Sequence, residues 1–575
     1  MGHDGSFAIV NARVRRCTGT ADSERGDAVA VRGGRIVAIG SGAEALAAAG
    51  GDAPRIDARG AALLPGFVDT HPHMLHFAAR SGTYVDIADA RDHADIVARI
   101  RARAATTPKG QWIVTTPVGE PFYFIRRSWR DLAERCLPDR HVLDRATTDH
   151  PVFIAAYGPV TPNVCAFNSA GLKKIGLTSY IPDLVCHVEI EKDDSGSLTG
   201  RLRGAVNNYY TFDPFWTQIL RQLPGMEGVN VGATTRGAMA RYNAMGVTTA
   251  YEGHNMTAAQ IGVYKALRAA NEMTVRVLAA LEIEITAFPP FEPLGEDAFR
   301  ANLELARSLV DRDDDLLRID GATLATGGPC WPGFLRTHVP YRDPWSQPTR
   351  GVTFISAERQ DAFLRYCAEH GLRANLLAGG DRDHDDFLES CERLAETLPI
   401  RDRRWIVQHC ILTTRRHIER YKALGFDMTT SMSFSWGKGD LYAERIGEHA
   451  LRDLIPLKRY LDVGVPVACG TDWGPKNIFE HIRFAQTHEL AGSGRRNATP
   501  DHAVGREDAI LMWTRDAARV LQWDDVGTLA IGNHADMILL DHDPFTCTLD
   551  ELPATRVLGT WLGGRIVHEA VQRRG

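Results

Sequence analysis

The stretch LLPGFVDTHPHM, residues 63–74, decides how the rest of the chain is read. An apolar run ends in Asp69-Thr70, and two histidines, His71 and His73, follow one residue apart. Residues i and i+2 of an extended chain share a face. Two imidazoles side by side at the mouth of a buried strand suit a metal ion, because neutral imidazole is the commonest metal ligand. A polar turn after a strand would carry the same letters, so the pair has to be weighed against what surrounds it.

Outward from this stretch the pattern alternates strand and helix. Strands are expected at 62–68, 247–252, 275–281, 317–324, 372–377, 405–409, 426–430 and 465–470. Helices with 3.6-type spacing are expected at 233–245, 357–370, 413–424 and 506–521. Eight strands separated by helical pattern predict an α/β fold, a (β/α)8 TIM-like barrel. The gap between the first two strands is too long for one helix, so residues at about 84–230 hold an insertion with its own helices and strands (QWIVTTP, PVFIAAY). Both ends of the chain are written differently. FAIVNARV, DAVAVRGGRIVAIG and PRIDARGAALLPG near the start, and HADMILLDHDP and RVLGTWLGGRIVHE near the end, are short β-runs with Gly-Gly hairpin signals. They predict a small composite β-sandwich domain from both termini, residues 1–62 and 526–575, with separate β appendages as the alternative. The barrel then spans 63–525, with an inserted α/β subdomain at about 84–230.

Bulk properties narrow the function. The 575 residues are 44% hydrophobic and 24% charged, an ordinary soluble globular composition. A net charge of −6 gives no electrostatic case for nucleic acid or an anionic membrane. No apolar run is long enough to span a bilayer. The opening MGHDGSFAIVN lacks the basic and apolar regions of a signal peptide, so a cytoplasmic location is expected. The ten cysteines include no C-x-x-C pair, and Cys367, Cys410 and Cys469 lie inside apolar segments. They read as reduced core residues, not a disulfide frame or zinc ribbon.

In such a barrel the active site lies at the carboxyl ends of the strands. The first strand ends in His71 and His73, the second in Glu252 and His254, and the third in Glu282 and Glu284. The fourth carries Thr323, the fifth Asn375 and Leu377, the sixth His409, and the eighth Asp472 and Trp473. A histidine pair, a third histidine and an aspartate thus meet at one rim, a nitrogen and carboxylate set that suits Zn2+ or a similar divalent ion.

The pieces LLPGFVDTHPH (63–73), GVTT (246–249), WIVQHCILTT (405–414), GTDWGPKN (470–477), EDAILMWTRDAARVL (507–521) and VGTLAIGNHADMILLDHDP (526–544) resemble the amidohydrolase superfamily. Specifically, they resemble its YtcJ-like branch, which includes N-substituted formamide deformylase. The resemblance spans nearly the whole chain and implies a metal-dependent hydrolase barrel. It makes His71 and His73 first-strand ligands, His409 the sixth-strand ligand, and Asp472 the eighth-strand ligand and general base. Two features depart from the family. Two-metal members often bridge their ions with a carboxylated lysine on the fourth strand, but no lysine lies between Lys265 and Lys422, and Thr323 stands near that place. A fifth-strand histidine is replaced by Leu377 in LLAGGDRD. The expectation is therefore a single divalent metal per chain, Zn2+ as first candidate, held by His71, His73, His409 and Asp472, with Glu252 as a spare carboxylate.

The expected chemistry is cleavage of a carbon–nitrogen bond by metal-activated water, with Asp472 moving the proton. Trp331, Trp436, Trp473, Phe434, Tyr123 and Asn375 are candidate substrate-binding residues. The five aromatic residues among them point to a bulky, aromatic amide, formamide or carbamate-like substrate. Two rivals share the barrel: an enzyme of another class (decarboxylase, lyase or hydratase) with a rewired metal site, and a non-catalytic binding protein. A small molecule is the expected partner, not nucleic acid or membrane, and a homo-oligomer is left open.

Overall fold

The computed structural model describes residues 5–570 except 20–25, 51, 120–125, 157–160, 225–230, 288–291, 329 and 332. Eight parallel strands form its central sheet: β1 (Phe67–Asp69), β2 (Val247–Glu252), β3 (Arg276–Glu282), β4 (Leu317–Leu324), β5 (Ala374–Ala378), β6 (Ile406–His409), β7 (Asp427–Thr430) and β8 (Val467–Cys469). Each strand pairs with its neighbour in chain order, from β1 to β8. The sheet curls until its two edges almost meet. Thr70 N donates to Cys469 O at 3.3 Å and Asp472 N to His71 O at 2.8 Å, joining the ends of β1 and β8.

These segments are buried along nearly their whole length, as parallel strands covered on both faces are, and apolar residues supply most of β1, β3, β5 and β8, while β7 is mostly polar. Val68, Tyr251, Leu278, Ala280, Ile406 and Ala468 are buried together with Ala517, Val520 and Trp523. Helices follow the strands and cover the outside. Ser356 caps the helix Ala357–His370, Gly371 ends it, and Thr414 caps Arg415–Ala423.

Two elements differ from the sequence reading. The expected strand 62–68 is two strands. Ala62–Pro65 belongs to a second sheet and Phe67–Asp69 to the barrel. Gly66 is the hinge between them: a Cβ there would lie 2.2 Å from Thr248 Oγ1, so only glycine lets β2 pass. The expected helix 506–521 is also two, Arg506–Leu511 and Arg515–Val520. The carbonyls of Met512 and Trp513 leave the helical ladder to accept from Cys469 N at 3.0 Å and Val68 N at 2.8 Å. Barrel strands β8 and β1 thus take the acceptors that a continuous helix would need.

The insertion builds a six-stranded sheet of its own, in which Ile113–Thr115 and Val152–Ile154 pair in parallel at one side. Near the termini, Phe7–Val10, Ala28–Arg32, Arg35–Gly40 and Arg55–Asp57 form one four-stranded sheet. A five-stranded sheet joins Arg13–Val14 and Ala62–Pro65 to Met537–Leu540, Val557–Leu562 and Arg565–Glu569. Met537–Leu540 runs antiparallel to Ala62–Pro65. Phe7, Ile9, Val29, Leu63, Met537 and Trp561 share one apolar cluster. A buried ion pair ties this assembly to the barrel: Arg276 Nε and Nη2 donate to Asp536 at 2.7 and 3.0 Å. Among the described residues no helix is long and apolar enough to cross a membrane.

Candidate metal centre

The ends of β1, β6 and β8 bring His71, His409 and Asp472 together, with one ligand atom from each lying within 4.8 Å of the others. Asp472 Oδ2 stands 3.8 Å from His71 Nε2 and 3.5 Å from His409 Nε2. His73 stands beside this group: its Nε2 is 3.1 Å from His71 Nε2 and 3.8 Å from Asp472 Oδ1. All four are buried or nearly so. Close approach of the two chain ends depends on Gly470, where a Cβ would fall 2.5 Å from His71 N.

Three of these four residues hold a left-handed backbone: His73 at φ 52°, His409 at 70° and Asp472 at 50°. Non-glycine residues rarely adopt this conformation, and it clusters where function demands it. At His409 it has a visible effect. Neighbours on a strand point to opposite faces, yet Gln408 and His409 both reach the centre, because the chain turns out of the strand at His409.

The surroundings prepare the imidazoles to act as ligands. Gln408 Oε1 is in close contact with His71 Nδ1 and accepts its N–H, which turns Nε2 towards the centre. Burial pushes the His71 pKa down to about 4, with His254 and Lys476 acting in the same direction and Asp472 against it. Burial, then neighbouring histidines, holds His73 and His409 well below the usual imidazole range. All three rings are therefore neutral near pH 7, the form that binds metals. One nitrogen or oxygen from each of three strand ends, with a hydrogen-bonded partner behind the first, fits a divalent cation.

Several residues at the centre carried no role in the sequence reading. Asp69 accepts from His71 N and Thr471 N, each at 3.0 Å, and from Thr471 Oγ1 at 2.7 Å, pinning both ligand loops. Lys476 Nζ donates to Pro72 O at 3.0 Å and Thr471 Oγ1 at 2.9 Å, and also to Asp472 O. Burial lowers its pKa to about 8, against the pull of Asp69, Asp472 and Glu252. His254 lies with its ring centre 5.4 to 5.8 Å from those of His71, His73 and His409. Its Nδ1 is held by Glu282 at 2.8 Å, and Tyr210 Oη stands 3.4 Å from Nε2. The letters GTDWGPKN and YEGHN contain Lys476 and His254, but nothing in their spacing aims them inward.

The other candidates divide. Glu252 lies outside the His71–His409–Asp472 group; its Oε1 accepts from Tyr264 Oη at 2.7 Å and Leu75 N at 3.2 Å. Thr323 and Asn375 are partners on adjacent strands, and both donate to Gly253 O, at 2.6 and 2.7 Å. Leu377 is buried. Glu284 pairs with Arg359 at 3.0 Å. Trp473 stacks on His73 with ring centres 4.9 Å apart and also meets Tyr209 and Phe77. Phe434 stands edge-on to His409 at 5.2 Å. Trp331 is linked to Phe434 through Lys438, whose Nζ lies over both rings. Trp436 stacks on Phe484 at 5.0 Å beneath the guanidinium of Arg126. Tyr123 lies outside the described residues. The helix Ile478–Thr487 is capped by Asn477 and not by Asp472; Asp472 Oδ1 accepts from Trp473 N, and its Oδ2 faces His71 and His409.

An eight-stranded parallel barrel with a His/His/Asp cluster at the carboxyl ends of its strands is the framework of a metal-dependent hydrolase. Residues 55–568 match the Amidohydrolase family, and the chain belongs to it. It is 26% identical to an N-substituted formamide deformylase of Arthrobacter pascens, covering 98% of each chain. It is 23% identical to YtcJ of Bacillus subtilis (strain 168), a protein assigned to the amidohydrolases, over 95% of this chain and 97% of that one. The fold resembles an uncharacterized metal-dependent hydrolase from Pyrococcus furiosus, with a TM-score of 0.69, 20% identity and coverage of 94% and 100%.

Proposed function

We propose that the protein is a metal-dependent hydrolase that cleaves a non-peptide carbon–nitrogen bond of a bulky aromatic small molecule: an amide, formamide or carbamate-like compound. The convergence of His71, His409 and Asp472 from three strand ends carries this reading. His71, His73, His409 and Asp472 would hold one divalent ion, Zn2+ being the first candidate. Bound there, the ion supplies Lewis-acid polarisation of the carbonyl and brings the pKa of water from ~15.7 towards ~7. Asp472 accepts the proton from the attacking water at its carboxylate and returns it to the leaving nitrogen. Gln408 fixes the tautomer of His71, and Asp69 and Lys476 hold the two ligand loops in register. Trp473, Phe434 and Trp331 would form an apolar wall that orients an aromatic group and excludes water.

The relative named for N-substituted formamides at 26% identity supplies the first substrates to try. We read the terminal sheets as a composite β-sandwich domain, residues 1–62 with 526–575, that closes the barrel from outside. A second reading, a decarboxylase, lyase or hydratase on the same barrel, is favoured by one observation: Thr323 and the buried Leu377 stand on β4 and β5 where the family resemblance leads one to expect a lysine and a histidine ligand. Elemental analysis of the purified chain should give one metal equivalent, and incubation with aryl formamides and amides should release amine and carboxylic acid in equal amounts. Metal-free protein with no product would remove the hydrolase reading, two equivalents would remove the single-ion site, and either bond cleavage without uptake of water or water added with no amine released would favour the second.

A further inference from the structure

Next to the metal centre lies a second pair of reactive groups. Lys438, on the helix Met432–Arg445 that follows β7, places Nζ 2.6 Å from Sγ of Cys330, in the loop after β4. Both residues are buried, Lys438 to 1% exposure and Cys330 to 9%. This separation is far shorter than two other nitrogen–sulfur contacts among the described residues: Arg201 Nη1 stands 3.9 Å from Cys136 Sγ, and Arg506 Nη1 3.9 Å from Cys547 Sγ. Sulfur is a large and weak acceptor, so a hydrogen bond alone does not call for such an approach. An N–O and an O–S single bond meeting at a bent oxygen span a distance of this size.

The pair is also held in place from both sides. The ring centres of Trp331 and Phe434 lie 4.2 and 4.6 Å from Lys438 Nζ, confining a side chain that would otherwise sample many rotamers. Tyr442, one turn along the same helix, donates its hydroxyl to the carbonyl of Cys330. Burial pushes the Cys330 thiol up, and Lys438 is the neighbour that pulls it back towards the nucleophilic thiolate.

We propose that Cys330 and Lys438 form a reversible N–O–S cross-link under oxidising conditions, with hydrogen peroxide as the oxidant. In the first step the thiol attacks one peroxide molecule; an S–O bond forms, the O–O bond breaks, and sulfenic acid and one water result. In the second step the amine nitrogen bonds to the sulfenic oxygen. One N–H proton, the O–H proton and two electrons pass to a second peroxide, which leaves as two waters. In sum a thiol, an amine and two peroxides give one cross-link and three waters. Two dithiol molecules supply the four electrons and four protons that restore the thiol, the amine and one water. The bond ties the loop after β4 to the helix after β7. Those two segments carry Trp331 and Phe434, and Phe434 packs on His409, so oxidation would lock a wall of the proposed pocket. The cross-link itself stands apart from the proposed hydrolysis; only its effect on turnover rests on that reading.

The test is peroxide treatment of the purified full-length chain, followed by non-reducing chymotryptic mapping by mass spectrometry. The expected result is a peptide pair joining Cys330 to Lys438, about 14 Da heavier than the two reduced peptides for one oxygen gained and two hydrogens lost. Dithiothreitol should reverse it, and Cys330→Ser or Lys438→Arg should each abolish it. The wild-type map decides alone if either variant fails to fold. The proposal is overturned by an unmodified pair, by a gain of about 16 or 32 Da confined to the Cys330 peptide, or by a joined pair that has lost two hydrogens without gaining oxygen.

Discussion

At the carboxyl ends of β1, β6 and β8, polar side chains turn towards one another: His71, His73, His409 and Asp472 leave 3.1 to 3.8 Å between facing atoms. At the ends of β2, β4 and β5, His254 apart, they turn towards the protein itself. Glu252 is used by Tyr264 and Leu75, and Thr323 and Asn375 by the carbonyl of Gly253. Both arcs of the rim are buried and polar, and residue type does not separate them. The difference lies in where the hydrogen-bonding capacity goes. An arc whose donors and acceptors are satisfied internally is scaffold, while one whose neutral rings face a carboxylate without an internal donor between them is prepared for a cation.

The most damaging way to probe this contrast is Asp472→Asn. Asparagine tolerates the left-handed backbone at this position and keeps the size, but it cannot accept a proton. Turnover should fall by about 10²–10⁴ with Tm nearly unchanged, checked by a thermal melt beside a rate assay on whichever amide is cleaved. Unchanged turnover would take Asp472 out of the chemistry and erase the distinction between the arcs.

A smaller effect is expected from Gln408→Leu, which removes the oxygen behind His71 and keeps the bulk. Such outer partners typically change metal affinity or activity by about 10–100-fold. Titration with Zn2+ should show that weakening while the melt of the metal-free chain stays close to wild type. Equal affinity would mean that His71 needs no orienting partner.

On the opposite arc the effect is smaller and appears only in pH dependence. Burial raises the Glu252 carboxyl from 4.5 to about 7, against the hydrogen bonds from Tyr264 and Leu75. The folded chain therefore holds a proton there that the unfolded chain has lost between those two values. Stability from this group is complete below about 4.5 and is lost as pH rises through about 7. Glu252→Gln should flatten that decline, seen as the difference between the Tm–pH curves of variant and wild type from pH 4.5 to 8. Parallel curves would show that the carboxylate titrates normally, and would return it to the pool of metal ligands.

Much of the barrel was legible because parallel strands buried on both faces are rich in apolar residues, and runs such as ANLLA and RVLAALE stand out from the amphipathic helices between them. His71, His409 and Asp472 were legible because each ends such a run. What stayed hidden depends on distant parts of the chain. The split at Gly66 is set by Thr248, and the break after Leu511 by carbonyls recruited to β1 and β8. Neither leaves a local signal. Strand alternation would have sent Gln408 away from the centre, and only the left-handed turn at His409 brings it in. Trp436 and Phe434 lie two residues apart on one helix, so helical geometry sends them in different directions, Phe434 to His409 and Trp436 to Phe484.

The pairing of Ala62–Pro65 with Met537–Leu540 has a consequence in time. A ribosome adding roughly 5–20 residues per second needs tens of seconds to pass from the first of these strands to the second. Throughout that interval one edge of an apolar strand waits for a partner not yet made, next to the residues that open the barrel. The order of synthesis therefore leaves His71 and His73, the candidate ligands after β1, among the first parts of the barrel to emerge and among the last to be fixed. A holdase that covers this edge, or a pause that lets the insertion fold first, would act on yield without touching a single residue of the finished centre.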